Sequence, residues 1–257
     1  MAIPLRDPEP QRLAPAPAPA DVGVVMAMPI EAGYLLDRLE RVRRYNSRSL
    51  TVTEGELDGR IVAVIVSGVG RASARRGAEH LMAGHRPRVL VSAGFAGALD
   101  ADLKRNDLVA PRAVIDGAGD AVEIDEALVE SLPGIVKAGR LLLVDRVITD
   151  PGEKAALRLA HQADLIDMET FSVAAAARDQ GAPFVSLRVI SDDARTELPA
   201  EIGRLLNTSG TYRVGAAMRA IWSRPSSLKD FWTLHAQAME SSDRLANGLQ
   251  VLIRGLA

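Results

Sequence analysis

The 257-residue sequence contains no cysteine, which excludes disulfide bonds and a catalytic thiolate. It has no apolar run of the roughly 18 residues that a membrane-spanning helix needs. Its net charge is −2, and no separate basic cluster suggests a nucleic-acid partner. The four histidines lie far apart without ligand spacing, so we expect no metal site. These absences favour a cytoplasmic globular protein that binds neither membranes nor nucleic acids.

The first 20 residues differ in composition from the rest of the chain. They hold six of the fourteen prolines and almost no large apolar side chains. Such a segment buries too little surface to offset its ordering entropy, and it lacks the continuous apolar stretch of a signal peptide. We therefore expect a disordered Pro/Ala-rich tail over residues 1–20 and a single domain over residues 21–257.

Short apolar runs alternate with helical patterns through the next 170 residues. Helices are predicted to begin at Pro29, after Gly70 and at Glu169, and Asp58–Gly59 is typical of a β-hairpin turn. The predicted strands are Asp21–Met28, Ser49–Leu57, Arg60–Ser67, Pro87–Leu99, Asn106–Pro111, Gly139–Ile148, Ala163–Ile166 and Pro183–Ser191. This alternation predicts an α/β fold with a largely parallel or mixed sheet.

The chain beyond about residue 200 is predicted to be a helical extension. Apolar residues recur there every seven positions, at Phe231, Ala238, Leu245 and Leu252. The repeat is too short for a coiled coil, so we expect these helices to pack on the core or on a second subunit. Trp222, Phe231 and Trp232 are candidates for a dimer contact.

Two glycines and a serine, Gly68, Gly70 and Ser73, approximate a dinucleotide-binding turn between a strand and a helix. That motif also needs an acidic residue at the end of the next strand. The next strand instead ends in SAGFAG, residues 92–97. We therefore expect no nicotinamide cofactor, and nothing in the sequence calls for another cofactor.

Three acidic residues, Glu31, Glu169 and Asp192, each follow a predicted strand. Ligands of α/β sheets bind beyond the carboxyl ends of strands, so these acids are candidate site residues. Glu31 and Glu169 could equally be helix N-terminal acids that complement the helix dipole. That alternative is weaker for Asp192, where a very apolar strand ends abruptly in two aspartates.

Four blocks of the sequence resemble the purine nucleoside phosphorylase/hydrolase superfamily in order and spacing. They are GVVMAMPIEAGYLL, VSGVGRASA, VLVSAGFAGALDADLKRNDLVAP and LIDMETFSVAAAARDQGAPFVSLRVISDDA. Within roughly residues 21–195 they look most like the 5′-methylthioadenosine/S-adenosylhomocysteine nucleosidases. The longer carboxy-terminal third is more similar to bacterial phosphorylase-like relatives, including a hopanoid-associated branch.

The resemblance implies a three-layer αβα fold with a central mixed, mostly parallel twisted sheet and extra C-terminal helices. It implies that a purine nucleoside is cleaved at its N-glycosidic bond. Asp192 matches the general acid that protonates the departing purine, and Ser191 would orient it. Glu31 matches the carboxylate that activates water, Glu169 the acid that binds the ribose hydroxyls, and Met168 the residue beneath the sugar.

Further residues are assigned to the site less specifically. Gly94 and Gly97 would let backbone approach the base or sugar. Only 4% of the chain is aromatic, and Phe95 or Phe171 could stack on the base. Phe95 replaces the small serine of the nucleosidases, and the aromatic that usually stacks on adenine is replaced near Val147. For Arg188, a site role and a structural ion pair are equally compatible with the sequence.

Water is the expected nucleophile, because the phosphate-binding arginines of the phosphorylase branches are missing here. Arg71, after the Gly68–Gly70 turn, is the one residue that would restore phosphate binding. Two alternatives to hydrolysis stay open: a phosphate-dependent purine nucleoside phosphorylase, and a non-catalytic nucleoside-binding protein. The resemblance also implies a homodimer.

Overall fold

The computed structural model describes residues 17–47, 50–128, 133–198 and 226–256. The strands are β1 Val22–Met26, β2 Glu40–Asn46, β3 Thr51–Leu57, β4 Arg60–Val66, β5 Val89–Ala98, β6 Leu108–Ile115, β7 Ala121–Glu123, β8 Val136–Leu143, β9 Leu165–Asp167 and β10 Phe184–Asp192. The helices are α1 Pro29–Leu36, α2 Arg71–His85, α3 Pro151–His161, α4 Thr170–Asp179 and α5 Ser226–Gly255. Among these residues, no helix combines the length and apolarity needed to cross a bilayer.

The predicted tail and C-terminal extension fall partly outside the described ranges. Positions 1–16 of the tail and positions 199–225 of the extension are not described. Ala20, by contrast, is buried, and its amide donates to the carbonyl of His85 at 2.8 Å. The folded part of the chain therefore includes residue 20.

Strand β5 is the centre of the sheet. One edge pairs in parallel with β10. The other edge pairs first with β1 and then, over Gly97 and Ala98, with β9. The strands β5, β10, β6, β8 and β9 pair in a closed ring, and β1, β4, β3 and β2 extend the sheet from β5. The ring was not predicted from the sequence, because nothing in β5 shows that one edge serves two partners.

The mixed sheet is confirmed, although parallel pairing does not dominate it throughout. The run β4–β1–β5–β10 is parallel, as is β6–β8–β9. Antiparallel pairs join these two runs and form the outer strands. The mostly parallel pairing that we expected is therefore present within each run, whereas the strand pairs that connect the two runs are antiparallel.

Helices cover both faces of the sheet, as the three-layer prediction requires. Helices α2 and α4 pack against each other and the sheet, and so do α1 and α5. Leu245 and Leu252 of α5 are fully buried. These two members of the seven-residue repeat therefore pack in the core of the same chain, whereas Ala238 is partly buried.

Local sequence signals predicted the positions of most of these helices and strands. Pro29 occupies the first turn of α1, and Asp58–Gly59 joins β3 to β4 with positive φ at both residues. Three elements were missed in the sequence: β2, β7 and α3. Strand β2 is an exposed edge strand with almost no apolar residues, and β7 has three residues.

Candidate active site

A cavity of about 340 Å³ opens at the carboxyl ends of β1, β5 and β10, within the size range of small-molecule sites. All three predicted acids line it: Glu31, Glu169 and Asp192. Asp167 is a fourth lining carboxyl group, and the loop after β8 closes another side through Arg146 and Ile148. The topology therefore gathers at one place the acids that lie up to 161 positions apart (192 − 31).

Glu31 lies in the first turn of α1 and is almost fully buried. Its Oε2 atom accepts from the amides of Ala27 (3.0 Å) and Met28 (2.8 Å), so it does cap its helix. Its Oε1 atom accepts from the amide of Phe95 on β5 at 2.9 Å. Burial raises the pKa of this carboxyl group, and the three amides and the charge of Arg188 oppose that rise. A carboxylate with a raised pKa is a better base toward water.

Glu169 directly precedes α4 but does not cap it. Its Oε1 atom accepts from the amide of Gly70 at 2.7 Å, just before the start of α2. Asp167 caps the helix instead, by accepting from the amide of Thr170 at 3.1 Å. Burial, followed by the negative charge of Asp167, raises the pKa of Glu169 to about 8. Helix capping therefore does not account for the position of Glu169, whose side chain lines the cavity.

Arg188 is buried behind these carboxyl groups. Its guanidinium lies 2.9 Å from Asp167 and donates to the hydroxyls of Ser92 and Thr170. A Cβ atom at Gly94 would lie 2.5 Å from its NH1 atom and 2.7 Å from Oε1 of Glu31. Gly94 therefore makes room for Arg188 and Glu31. Gly94 is not among the residues that line the cavity, and its expected approach to the base or sugar stays a prediction.

Asp192 ends β10 just after a bulge in its pairing with β5. Ser191 contacts its Oδ1 atom at 2.6 Å, in keeping with the orienting role expected for this serine. A Cβ atom at Gly97 would lie 3.1 Å from Oδ2, so this glycine leaves space for the acid. On the other side, Nζ of Lys154 lies 2.5 Å from Oδ2.

The remaining predicted residues divide into two groups. Met168, Phe95, Gly97 and Ser191 line the cavity together with the acids. Phe171 does not: it points from α4 into the hydrophobic core. Phe171 occupies the second position of α4, and the helix turns that position toward the sheet. Of the two predicted stacking residues, Phe95 lines the cavity and Phe171 does not.

Several lining residues and one cationic neighbour of the cavity were not predicted from the sequence. Gln237, Ala238 and Ser241 of α5 line the cavity, although no motif singles them out. Lys154 lies on α3, which was also missed. The start of that helix was nevertheless readable, because Asp150 accepts from the amide of Glu153 at 2.7 Å and Pro151 follows the cap.

Acidic side chains outnumber basic ones around the cavity. Four carboxyl groups line it, and Arg146 is the single basic side chain among its described lining residues. Arg71 points elsewhere, with its Nε atom 2.5 Å from Asp145 and both side chains exposed. Within the described ranges, no three His, Cys, Asp or Glu side chains are grouped to hold a metal ion. With one basic side chain in its described lining, the cavity offers few cationic partners to a phosphate dianion.

The chain is similar in sequence to known nucleosidases. The chain is 24% identical over 225 residues to a 5′-methylthioadenosine/S-adenosylhomocysteine nucleosidase of Bacillus thuringiensis strain Al Hakam, which covers 78% of this chain and 97% of that protein. The Bacillus anthracis nucleosidase matches to the same extent.

Solved structures show the same fold. The Streptococcus pneumoniae nucleosidase, solved with a transition-state inhibitor, superposes with a TM-score of 0.70 at 18% identity and covers 92% of this chain and 99% of that one. The futalosine hydrolase of Helicobacter pylori superposes with a TM-score of 0.70 at 17% identity and covers 93% and 98%. The family model described as "Phosphorylase superfamily" matches residues 21–133 and 123–211. This chain belongs to the phosphorylase superfamily.

Proposed function

We propose that this protein hydrolyses the N-glycosidic bond of a purine nucleoside of the 5′-methylthioadenosine/S-adenosylhomocysteine type. The observation that carries the proposal is the convergence of Glu31, Glu169 and Asp192 on one cavity. Those residues supply a base, a sugar-binding group and an acid, which glycosidic hydrolysis requires at three points around the same sugar.

The leaving group needs the acid, because a purine departs poorly as an anion. Asp192 would donate its proton to the imidazole ring of the purine while the bond to the sugar lengthens. Ser191, 2.6 Å from Oδ1, holds the carboxyl group in one orientation. A positioned general acid contributes about 10²–10⁴-fold to the rate.

The sugar lies between the acid and the base in this arrangement. Glu169 would bind the ribose hydroxyls, held in position by the amide of Gly70, which donates to its Oε1 atom. Met168 would pack beneath the ring. Positive charge develops on the sugar in the transition state, and the carboxyl groups around the cavity would stabilise it.

Water is the nucleophile that the charges favour. Glu31 would take a proton from it, and the burial that raises its pKa strengthens it as a base. Phosphate would have to enter a cavity with four lining carboxyl groups and one lining arginine. The pairing of Arg71 with Asp145 gives phosphorolysis no further support.

Product analysis tests the proposal. The purified protein is incubated with 5′-methylthioadenosine, S-adenosylhomocysteine, futalosine, adenosine and inosine, with and without phosphate. Free base and free sugar without phosphate are expected. A ribose 1-phosphate that forms only with phosphate would show a phosphorylase. Binding without base release from any nucleoside would show a non-catalytic binding protein.

Catalysis by the named residues is tested with Asp192→Asn. It is expected to lower turnover by about 10²–10⁴-fold, and wild-type turnover in this variant would overturn the mechanism. The homodimer also stays a prediction, because the side chains of Trp222, Phe231 and Trp232 lie outside the described residues. Sedimentation at micromolar concentration would measure it.

A further inference from the structure

Lys154 is a fully buried lysine that lies directly behind Asp192. Its ammonium group donates to Oδ2 of Asp192 at 2.5 Å, to the carbonyl of Asp193 at 2.8 Å and to the carbonyl of Thr196 at 3.4 Å. All three donors of the ammonium group are therefore used. Lys154 does not line the cavity, so it would act on substrate only through Asp192.

A buried charge of this kind needs a reason. Lysine is almost never fully buried unless it is paired, because removing an ammonium group from water is costly. An uncharged donor would satisfy the carbonyl groups of Asp193 and Thr196, so these contacts do not require a positive charge. The carboxyl group nearest to the ammonium group of Lys154 is that of the proposed general acid, Asp192, and the charge of Lys154 also helps to lower the pKa of Asp193.

We propose that Lys154 is the positioning residue of the general acid. It fixes the carboxyl group of Asp192 and stabilises the carboxylate that remains once the proton has passed to the leaving base. This inference rests on the proposed function. The proposed function, which depends on Glu31, Glu169 and Asp192, does not by itself assign a role to Lys154.

The hydrogen bonds assign a place to the transferable proton. An ammonium group only donates, so Oδ2 of Asp192 accepts from Lys154, and a proton on Oδ2 would compete with that hydrogen bond for the same oxygen. The proton therefore belongs on Oδ1. The hydroxyl of Ser191, 2.6 Å from Oδ1, also lies 3.2 Å from the carbonyl of Ala96. It can accept from Asp192 while donating its own proton to that carbonyl.

Hydrolysis of the N-glycosidic bond then involves two proton transfers. The bond between the sugar and the purine breaks, and its electron pair goes to the purine ring. The proton on Oδ1 passes to a ring nitrogen, and the electron pair of the O–H bond stays on Asp192. Water bonds to the sugar carbon and gives a proton to Glu31. A neutral acid beside an ammonium group thereby becomes an ion pair, so Lys154 stabilises the transition state more than the ground state.

A double-mutant cycle tests this role. Lys154→Met is expected to lower kcat for the best purine nucleoside by about 10–100-fold through loss of alignment, with KM little changed. In the Asp192→Asn background the same substitution is expected to cost nothing more, because the two residues act as one unit. Additive losses in the double variant would overturn the proposal.

The leaving group supplies a second readout. Nitrophenolate leaves a riboside without protonation, so 4-nitrophenyl β-D-ribofuranoside does not need the acid. Lys154→Met and Asp192→Asn are expected to retain turnover of this substrate. An equal loss on both substrates would mean that Lys154 has only a structural role.

Two further variants complete the experiment. Lys154→Gln keeps a donor for the carbonyl groups and is expected to show the same selective loss, even if Lys154→Met fails to fold. Arg158→Met removes another cation from α3 one turn away, where it pairs with Asp100 and Asp164, and is expected to leave both activities unchanged. If the wild type releases no base at all, the proposed function fails. If the wild type is active and Lys154→Gln equals it, this inference alone fails.

Discussion

The guanidinium of Arg188 lies 2.9 Å from the carboxylate of Asp167, and both side chains are almost fully buried. The pair connects β10 to the end of β9 directly behind the cavity. Of the two roles that the sequence left open for Arg188, a structural ion pair is thus present. The charge of Arg188 also opposes the rise in the pKa of Glu31 and of Glu169.

Loss of Arg188 is expected to destabilise the protein. Arg188→Leu leaves Asp167 as an unpaired buried charge, which costs about 3–5 kcal/mol of the free energy of unfolding. Urea denaturation measures this cost. The control is Arg178→Leu, which breaks an exposed pair with Asp120 and is expected to have a much smaller effect. Equal effects of the two substitutions would contradict the importance of the buried pair.

Gly94 is expected to tolerate no side chain. In Gly94→Ala the new Cβ would overlap the side chains of Arg188 and Glu31, so Glu31 must move and base release is expected to fall by about 10²-fold, as for a misplacement of about 1 Å. Steady-state kinetics checks this. Gly33→Ala in α1 is the control, because nothing lies within 4 Å of its new Cβ. It is expected to be neutral or to stabilise the helix by about 0.5–1 kcal/mol.

The pKa of Glu169 predicts how stability varies with pH. The folded-state pKa of about 8 lies above the ordinary value of 4.5, so the folded protein holds a proton that the unfolded chain releases between these values. The stabilisation is present in full below about pH 4.5 and is lost as the pH rises through about 8. Glu169→Gln is expected to flatten this dependence in urea titrations at a series of pH values.

An exposed glutamate supplies the control for that measurement. Glu79 pairs with Arg75 on the surface of α2, and Glu79→Gln is expected to keep the wild-type slope. A Glu169→Gln variant whose stability still falls as steeply toward pH 8 would show that another group binds the proton.

Phe95 and Phe171 are expected to respond differently to substitution. Phe95 lines the cavity, so Phe95→Ala should raise KM for the nucleoside by about tenfold, in keeping with roughly 0.5–1.5 kcal/mol from an aromatic contact. Phe171 is in the core, so Phe171→Leu should lower thermal stability and leave KM unchanged. A change in KM for Phe171→Leu alone would reverse the assignment.

The fold class and the three acids could be predicted because each has a local signal. Apolar runs mark β1, β5 and β10, and an acid follows the first and ends the last of them. Strand pairing beyond sequence neighbours has no such signal. The ring through β9 depends on β5 being longer than β1, so that its last two residues find another partner.

The roles of the glycines and of Lys154 could be recognised only in the folded structure. A glycine beside a predicted site has the same sequence whether it contacts a ligand or a neighbouring side chain, and Gly94 does the latter. Lys154 is one of many charged residues on helical patterns, and only packing shows that it is buried. Phe171 was misplaced for the same reason, because an aromatic residue after a site motif can face either the cavity or the core.

Helix α5 contributes Gln237, Ala238 and Ser241 to a cavity whose other walls come from earlier parts of the chain. During synthesis on the ribosome, the sheet and its acids emerge well before this final helix. A nascent chain is therefore expected to remain unable to enclose a nucleoside until α5 has left the exit tunnel and docked on α1 and β10.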